Sequence, residues 1–370
     1  MGWGLLYSFN ENEIKMKFVD LEFENSLAKK HSSENFKTID ASGKYLLGEF
    51  LEKFENSFSQ DQSKKFCVGV KNATDALAIA FRILEAEKRT VIVPQFGAYP
   101  TVMSAIQASA KNIIAAPVDN TLCLDLKNVN VPKDSIIVPV NLFGNESNIK
   151  EIRKIADENN CQIIEDCAQS TGIPVNNLSD ILVHSFYPTK PLGSRGDGGA
   201  ILTNNELWAS MARKSRFYGL SSGYIETWGF NSRMDEWQSS FLEKKISYYK
   251  TYNEIRRNNA KKFSNSFKSG VVYTDGSVFH QYVSLWKNRD KIQEKLNELE
   301  IPTIIHYPKM LSDMPYLQDK VKFLECPRVS DHILSIPVGP HLDNLDIEKI
   351  CDALNEIKGE TIDFSEIKSK

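Results

Sequence analysis

Residues 181–203 read ILVHSFYPTKPLGSRGDGGAILT. Ile181-Leu182-Val183 is a short apolar run of strand length, and it delivers Ser185. A loop flanked by Pro188 and Pro191 then presents Lys190. Proline restricts the backbone on both sides of it. The stretch Gly193-Ser194-Arg195-Gly196-Asp197-Gly198-Gly199 follows, and its glycines let the backbone pass close to a ligand. Residues 200–203 make a second strand.

Outward from this stretch, short apolar runs alternate with helical ones. Strand-like runs fall at 66–70, 91–93, 113–115, 136–140 and 162–164. Helical segments open at Asn72 and Thr74, run over 101–110, and run over 148–159 with Ile149, Ile152 and Ile155 inward. Alternating strands and helices predict an α/β fold with a mostly parallel central sheet flanked by helices. Beyond about residue 204 the character changes. Long helical segments cover 206–218 and 234–267. Strand-like runs at 271–274, 279–285 and 303–305 and helices at 289–299 and 346–357 make a smaller α+β lobe. The division is a possible extension at 1–15, a large domain at 16–245 and a small C-terminal domain at 246–370. Met16 opens a strand-like MKFVDLEF, and the polar tail GETIDFSEIKSK reads as frayed.

Composition removes several function classes. Lys and Arg number 45 against 48 Asp and Glu, for a net charge of -3. No nucleic-acid partner is expected without a basic excess. Apolar residues at 41% and charged residues at 25% describe an ordinary globular chain. No apolar run approaches the roughly 20 residues of a membrane helix, so no membrane partner is expected. The six cysteines are scattered, form no CxxC pair and suit no zinc site. They read as reduced core thiols of a cytoplasmic protein.

Ligands of open α/β sheets bind beyond the carboxyl ends of the strands. The polar residues there are few. Asn72-Ala73-Thr74-Asp75 opens a helix and offers N–H groups and a hydroxyl to an anion. The same residues also suit a plain helix cap. Asp166 ends a strand and suits a cationic ring nitrogen, or a loop salt bridge. Gln169 suits the same ligand, or a helix start. Lys190 offers an amine for a Schiff base, where a lone lysine is otherwise a solvated charge. No GxGxxG and no GxxxxGK[ST] is present, so dinucleotide and P-loop chemistries lose their signatures. An anion cradle, a carboxylate and an amine at strand ends of one sheet match the demands of pyridoxal 5′-phosphate.

The chain resembles the StrS/DegT-type sugar-nucleotide aminotransferases, of the fold-type I (aspartate aminotransferase-like) pyridoxal phosphate superfamily. The resemblance spans about residues 16–357. It is carried by SGKYLLG (42–48), GVKNATDAL (69–77), VPVNLFG (138–144), IIEDCAQSTG (163–172) and HSFYPTKPLGSRGDGGAILT (184–203). FNSRMDEWQS (230–239), HQYV (280–283) and IIHYP (304–308) continue it. The resemblance implies Lys190 as the lysine that holds the cofactor and moves the proton. It implies Asp166 on the pyridinium nitrogen and Gln169 near the ring hydroxyl. Ala73, Thr74 and Ser185 would hold the phosphate, with Asn231 supplied by the other subunit of a homodimer. His306 and Tyr307 would form a substrate-side loop. Tyr187 and Arg216 would face the sugar or the amino donor, expected to be L-glutamate.

Three departures from the family pattern stand out. Ala73 replaces a glycine, and Pro191 replaces a common asparagine. Gly97 and Ala98 stand where the family carries threonine and an aromatic that stacks on the cofactor. Phe96 or Tyr99 is left to supply the ring, and Tyr99 is preferred. The family's dehydrating branch carries histidine where this chain has Lys190, so transamination is expected. Gly196-Asp197-Gly198-Gly199 resembles enzymes of C3 keto sugars, which favours a dTDP-3-keto-6-deoxyhexose and amino-sugar biosynthesis for a polysaccharide such as O-antigen. A C4 keto sugar is the alternative, as is a non-catalytic sensor on the same fold.

Overall fold

A computed structural model describes residues 16–175 and 177–369; the extension expected at 1–15 lies outside them. Two helices lead, α1 (Leu21–Ser42) and α2 (Glu49–Asp61). Then come β1 (Phe66–Val70), α3 (Ala73–Ile83), β2 (Thr90–Pro94), α4 (Pro100–Gln107), β3 (Asn112–Ala116) and β4 (Ile136–Ile137). They are followed by α5 (Ile149–Glu158), β5 (Gln162–Asp166), β6 (Ile181–Ser185), β7 (Gly199–Thr203) and α6 (Glu206–Ser215). A short hairpin of β8 (Leu220–Ser221) and β9 (Tyr224–Ile225) precedes α7 (Glu236–Lys245) and α8 (Tyr249–Ser266). The rest is β10 (Tyr282–Leu285), α9 (Arg289–Glu298), β11 (Lys322–Phe323), β12 (Ile333–Ile336) and α10 (Asn344–Ile357).

Eight strands form one sheet in the order β1-β7-β6-β5-β4-β2-β3-β11. Its ladders are parallel except those made by β7, which runs antiparallel to both β1 and β6. Period-two alternation decides which face each side chain covers. Val91 and Val93 of β2 join Val183 of β6 under α3 and α4, in a core with Leu77 and Phe81. Ile92, Ile137 and Ile163 point the other way, onto Ile149 and Ile152 of α5. Leu182 and Leu202 meet Phe54 and Phe58 of α2 and Leu242 of α7 on that second face. The sheet is therefore covered on both sides, which a parallel sheet requires. A separate core joins α8, α9 and α10 to β10 and β12 through Phe263, Tyr282, Leu296, Leu334 and Leu354.

Several expectations about local structure are corrected. The strand-like run at 16–23 holds no strand. Asp20 accepts a hydrogen bond from the Phe23 N–H (3.0 Å) and starts α1 instead. The run at 271–274 makes no ladder, because the Asn145 side chain takes its backbone. The Asn145 amide donates to the Val272 carbonyl (2.8 Å), and its oxygen accepts from the Thr274 N–H (2.9 Å). The run at 303–305 is a single bridge, Ile304 to Ser335. The tail is not frayed. The Ile362 N–H donates to the Leu285 carbonyl (3.1 Å), and Ile367 is buried. Among the described residues no helix is long and apolar enough to cross a membrane.

Candidate active site

The carboxyl ends of β1, β5 and β6 open on one cavity of about 490 Å3. Asn72, Asp166 and Ser185 border it there, and Lys190 reaches it from the loop after β6.

The end of β1 turns directly into α3. The Asn72 side chain accepts from the Asp75 N–H (2.8 Å) and caps the helix. Cap and cradle are thus compatible readings. Asn72 closes the turn, while Ala73 and Thr74 border the cavity with the N–H groups that a helix start leaves without intrahelical partners. Gly199 makes this possible. It sits opposite Val70 on one side and Ser185 on the other. A Cβ there would lie 2.4 Å from the Asn72 carbonyl carbon and 2.7 Å from the Ala73 nitrogen. With no side chain in the way, the Ser185 hydroxyl and the α3 N-terminus border one pocket, and an anionic group fits there.

Asp166 is buried. Its Oδ1 accepts from the Ala168 N–H (3.1 Å) and its Oδ2 from the Thr101 hydroxyl (2.9 Å). Burial raises its pKa, opposed by those two donors and by Lys190. Such a carboxylate favours a cation in the cavity. Lys190 is half-buried and borders the cavity. Burial lowers its pKa to about 8, and Asp166 draws it back up. Its loop is closed at the neck by the Ser194 N–H, which donates to the Phe186 carbonyl (2.8 Å). Within the loop the Lys190 N–H donates to the Tyr187 carbonyl (2.9 Å). A Cβ on Gly193 would strike the Pro188 carbonyl oxygen at 2.1 Å, so the loop tolerates no other residue there.

Gln169 is held from two sides. Its oxygen accepts from the Phe143 N–H (2.6 Å), and its amide donates to the Tyr307 hydroxyl (3.0 Å). Tyr307 packs on Tyr99 at 5.9 Å, and both border the cavity. Phe96 instead packs in the interior against Phe143 and Tyr307. Of the two aromatics named as substitutes, only Tyr99 lines the cavity. His306 borders it as well, with Nδ1 on the Ser335 hydroxyl (2.9 Å) and Nε2 on the Gln281 amide (3.2 Å). Burial first, then the nearby Lys190, lowers its pKa to about 3, which keeps the imidazole neutral. Tyr187 stands at the mouth, 48% exposed.

Two expected site residues are not brought to this cavity. Arg216 is buried elsewhere. Its guanidinium donates to Glu55 Oε1 (2.5 Å) and to the Gly69 carbonyl (2.9 Å), so it locks α2 to β1 and is not free for a ligand. Asn231 is exposed, and its oxygen accepts from Arg233 Nε (3.0 Å). Other residues at the cavity were missed. Thr101 lies in a helix with no pattern to single it out. Phe18 and Val19 lie in the segment misread as a strand. His280 and Gln281 lie in HQYV, a stretch already quoted, and that was the signal available for them.

The DegT/DnrJ/EryC1/StrS aminotransferase family model matches residues 27–355. The UDP-2-acetamido-2-deoxy-3-oxo-D-glucuronate aminotransferase of Pseudomonas aeruginosa is 30% identical over 356 residues, 92% of this chain and 99% of that one. The dTDP-3-amino-3,6-dideoxy-alpha-D-galactopyranose transaminase of Aneurinibacillus thermoaerophilus is 31% identical over 358 residues, 91% and 98% of the two chains. The crystal structure of S. venezuelae DesV with a ketimine intermediate superposes with a TM-score of 0.86 at 27% identity, covering 94% of this chain and 99% of that one. The chain therefore belongs to the DegT/DnrJ/EryC1/StrS aminotransferase family and is a pyridoxal 5′-phosphate-dependent aminotransferase.

Proposed function

We propose that the chain moves an amino group from L-glutamate to the C3 carbonyl of a nucleotide-linked keto sugar, with a dTDP-3-keto-6-deoxyhexose as substrate. One observation carries the reading: the Lys190 amine, the Asp166 carboxylate and the α3 N-terminus border one cavity. The relatives named above support C3, since both names place the oxo or amino group at position 3. The Gly196-Asp197-Gly198-Gly199 loop supports it too.

Pyridoxal 5′-phosphate, when bound, supplies an electron sink that acidifies the carbon bearing the amine. The chain's own residues do the rest. Ala73, Thr74 and Ser185 hold the phosphate at the helix start. Asp166 keeps a proton on the ring nitrogen, and Thr101 holds the carboxylate in place. Gln169, pinned by Phe143 and Tyr307, faces the ring hydroxyl. Tyr99 would supply the aromatic contact to the cofactor that Ala98 cannot. Lys190 carries the cofactor at rest and moves a proton on and off the reacting carbon of each substrate in turn. Tyr187, His306 and Tyr307 form the sugar side. Asn231, turned away from its own cavity, completes the phosphate site of a second copy in a homodimer.

The test is a panel of nucleotide-linked keto sugars, assayed with L-glutamate by following amino-sugar formation. Turnover of 3-keto sugars in preference to 4-keto ones is expected. Turnover of 4-keto sugars alone would overturn the regiochemistry, and turnover with dTDP or UDP substrates would separate the two bases.

A further inference from the structure

Lys245, the last residue of α7, is 0% exposed. No motif marks it, and the proposed chemistry does not use it. Burial lowers its pKa to about 8, with Glu24 drawing it up and Arg256 pushing it down. An ammonium in such a place needs close partners. It has two. Nζ donates to the Gly193 carbonyl (3.0 Å) and to Asn25 Oδ1 (2.7 Å). Gly193 is the residue pressed against the Pro188 carbonyl, so where it sits bears on Pro188, two residues before Lys190. Asn25 stands near the start of α1, shortly after Phe18 and Val19 at the cavity wall. Next to it, Glu24 is anchored to Arg256 of α8 by a buried ion pair of 2.7 Å. Lys245 thus touches both the stem of the Lys190 loop and the helix that follows Phe18 and Val19.

We propose that Lys245 is a positioning residue for Lys190. Its ammonium ties the Gly193 carbonyl to α1, so that the amine-bearing loop and the wall of Phe18 and Val19 keep a fixed spacing. This rests on Lys190 being the reactive lysine. An apolar side chain at 245 would leave the buried Gly193 carbonyl and the half-buried Asn25 amide oxygen without this donor, and the loop would loosen to reach another one.

The test compares Lys245→Met and Lys245→Arg in the full-length holoenzyme. It reads backbone hydrogen exchange over 186–194 and 16–25, kcat and KM, and Tm. For Lys245→Met, exchange over 186–194 speeds up and kcat falls about tenfold, with KM within about twofold of wild type. Lys245→Arg, which keeps a charged donor, restores both. Wild-type exchange over 186–194 would overturn the proposal. So would a lowered Tm with kcat retained, which is the mark of packing alone. If Lys245→Met does not fold, Asn25→Ala decides, because it cuts one end of the tie. Faster exchange in both segments supports the coupling, and a change confined to 16–25 overturns it. Lys190→Ala is the independent control. Turnover surviving in that variant would sink the Lys190 reading whatever the exchange data say.

Discussion

Lys190 and Asp166 each offset what burial does to the other. Burial favours the neutral form of both, and each charge draws the other back toward ionisation. Below about pH 8 the Lys190 amine is protonated, and above it the amine is free to attack an aldehyde. The cofactor-free protein should therefore capture added pyridoxal phosphate at a rate that rises through about pH 8. Stopped-flow absorbance across the pH range measures this. A midpoint near 10, the ordinary lysine value, would mean that the cavity does not desolvate the amine. Asp166→Asn should cut kcat by ~10²-fold, since it removes a charge aimed at the reacting system. Thr101→Val removes one hydrogen bond to that carboxylate, of about 0.5–1.5 kcal/mol, so kcat should fall by roughly 2–10-fold with the fold intact. Asp166 was legible because it ends a strand, and Lys190 because a proline-flanked loop presents it just beyond one. Thr101 was not, since a helix residue shows its face only when the partner strand is placed. Arg216 was misread for the same reason. The sequence cannot tell a ligand's arginine from one that Glu55, 161 positions away, will claim.

Glycine at 199 is a property of the junction between elements. Gly199→Ala should weaken cofactor affinity by an order of magnitude or more, because the new Cβ strikes the Asn72 turn and pushes the α3 start out of line. Equilibrium titration of the apo-protein reads this, and wild-type affinity would mean that the turn can move aside. A second junction lies at α2. Glu236 of α7, buried, accepts from the N–H groups of Gly48, Phe50 and Leu51. Glu236→Ala would orphan three donors at a helix start and cost about 2–4 kcal/mol, seen as a lower midpoint in urea unfolding. An unchanged midpoint would show that water replaces the carboxylate. Strands β1, β2, β3, β5, β6 and β7 were readable because each is a short apolar run closed by a turn residue. The first two helices were not. Asp20 starts α1 inside a stretch whose apolar residues alternate, and Gly48 starts α2 with a cap borrowed from a residue 188 positions away. The run at 271–274 had strand composition, but a side chain and not a strand meets its backbone.

At the scale of the whole molecule, the proposed homodimer makes a sharp claim. If Asn231 serves the cavity of the other copy, then Lys190→Ala and Asn231→Ala variants, each inactive alone, should complement when mixed and refolded together. Half of the dimers formed from an equal mixture are hybrids, and each hybrid has one intact site, so about a quarter of wild-type activity should return. No recovery would place Asn231 outside the partner's site. The division of labour along the chain was legible as a change of pattern after residue 204. The contribution of the N-terminal segment to the cavity was not, because Phe18 and Val19 come to His306 and Gln281 only once the chain has folded back over some 260 to 290 residues of intervening sequence. The reversed strand β7 has one more consequence. It begins where β6 ends, so the segment between Ser185 and Gly199 leaves the sheet and returns to it at the same edge, like a cartridge in a socket. Lengthening or replacing that cartridge alters no strand register on either side. Evolution, or an engineer, can therefore retune the surroundings of the amine by changing the cassette residues that face the cavity, provided Phe186 and Leu192 stay in the core and position 193 stays glycine.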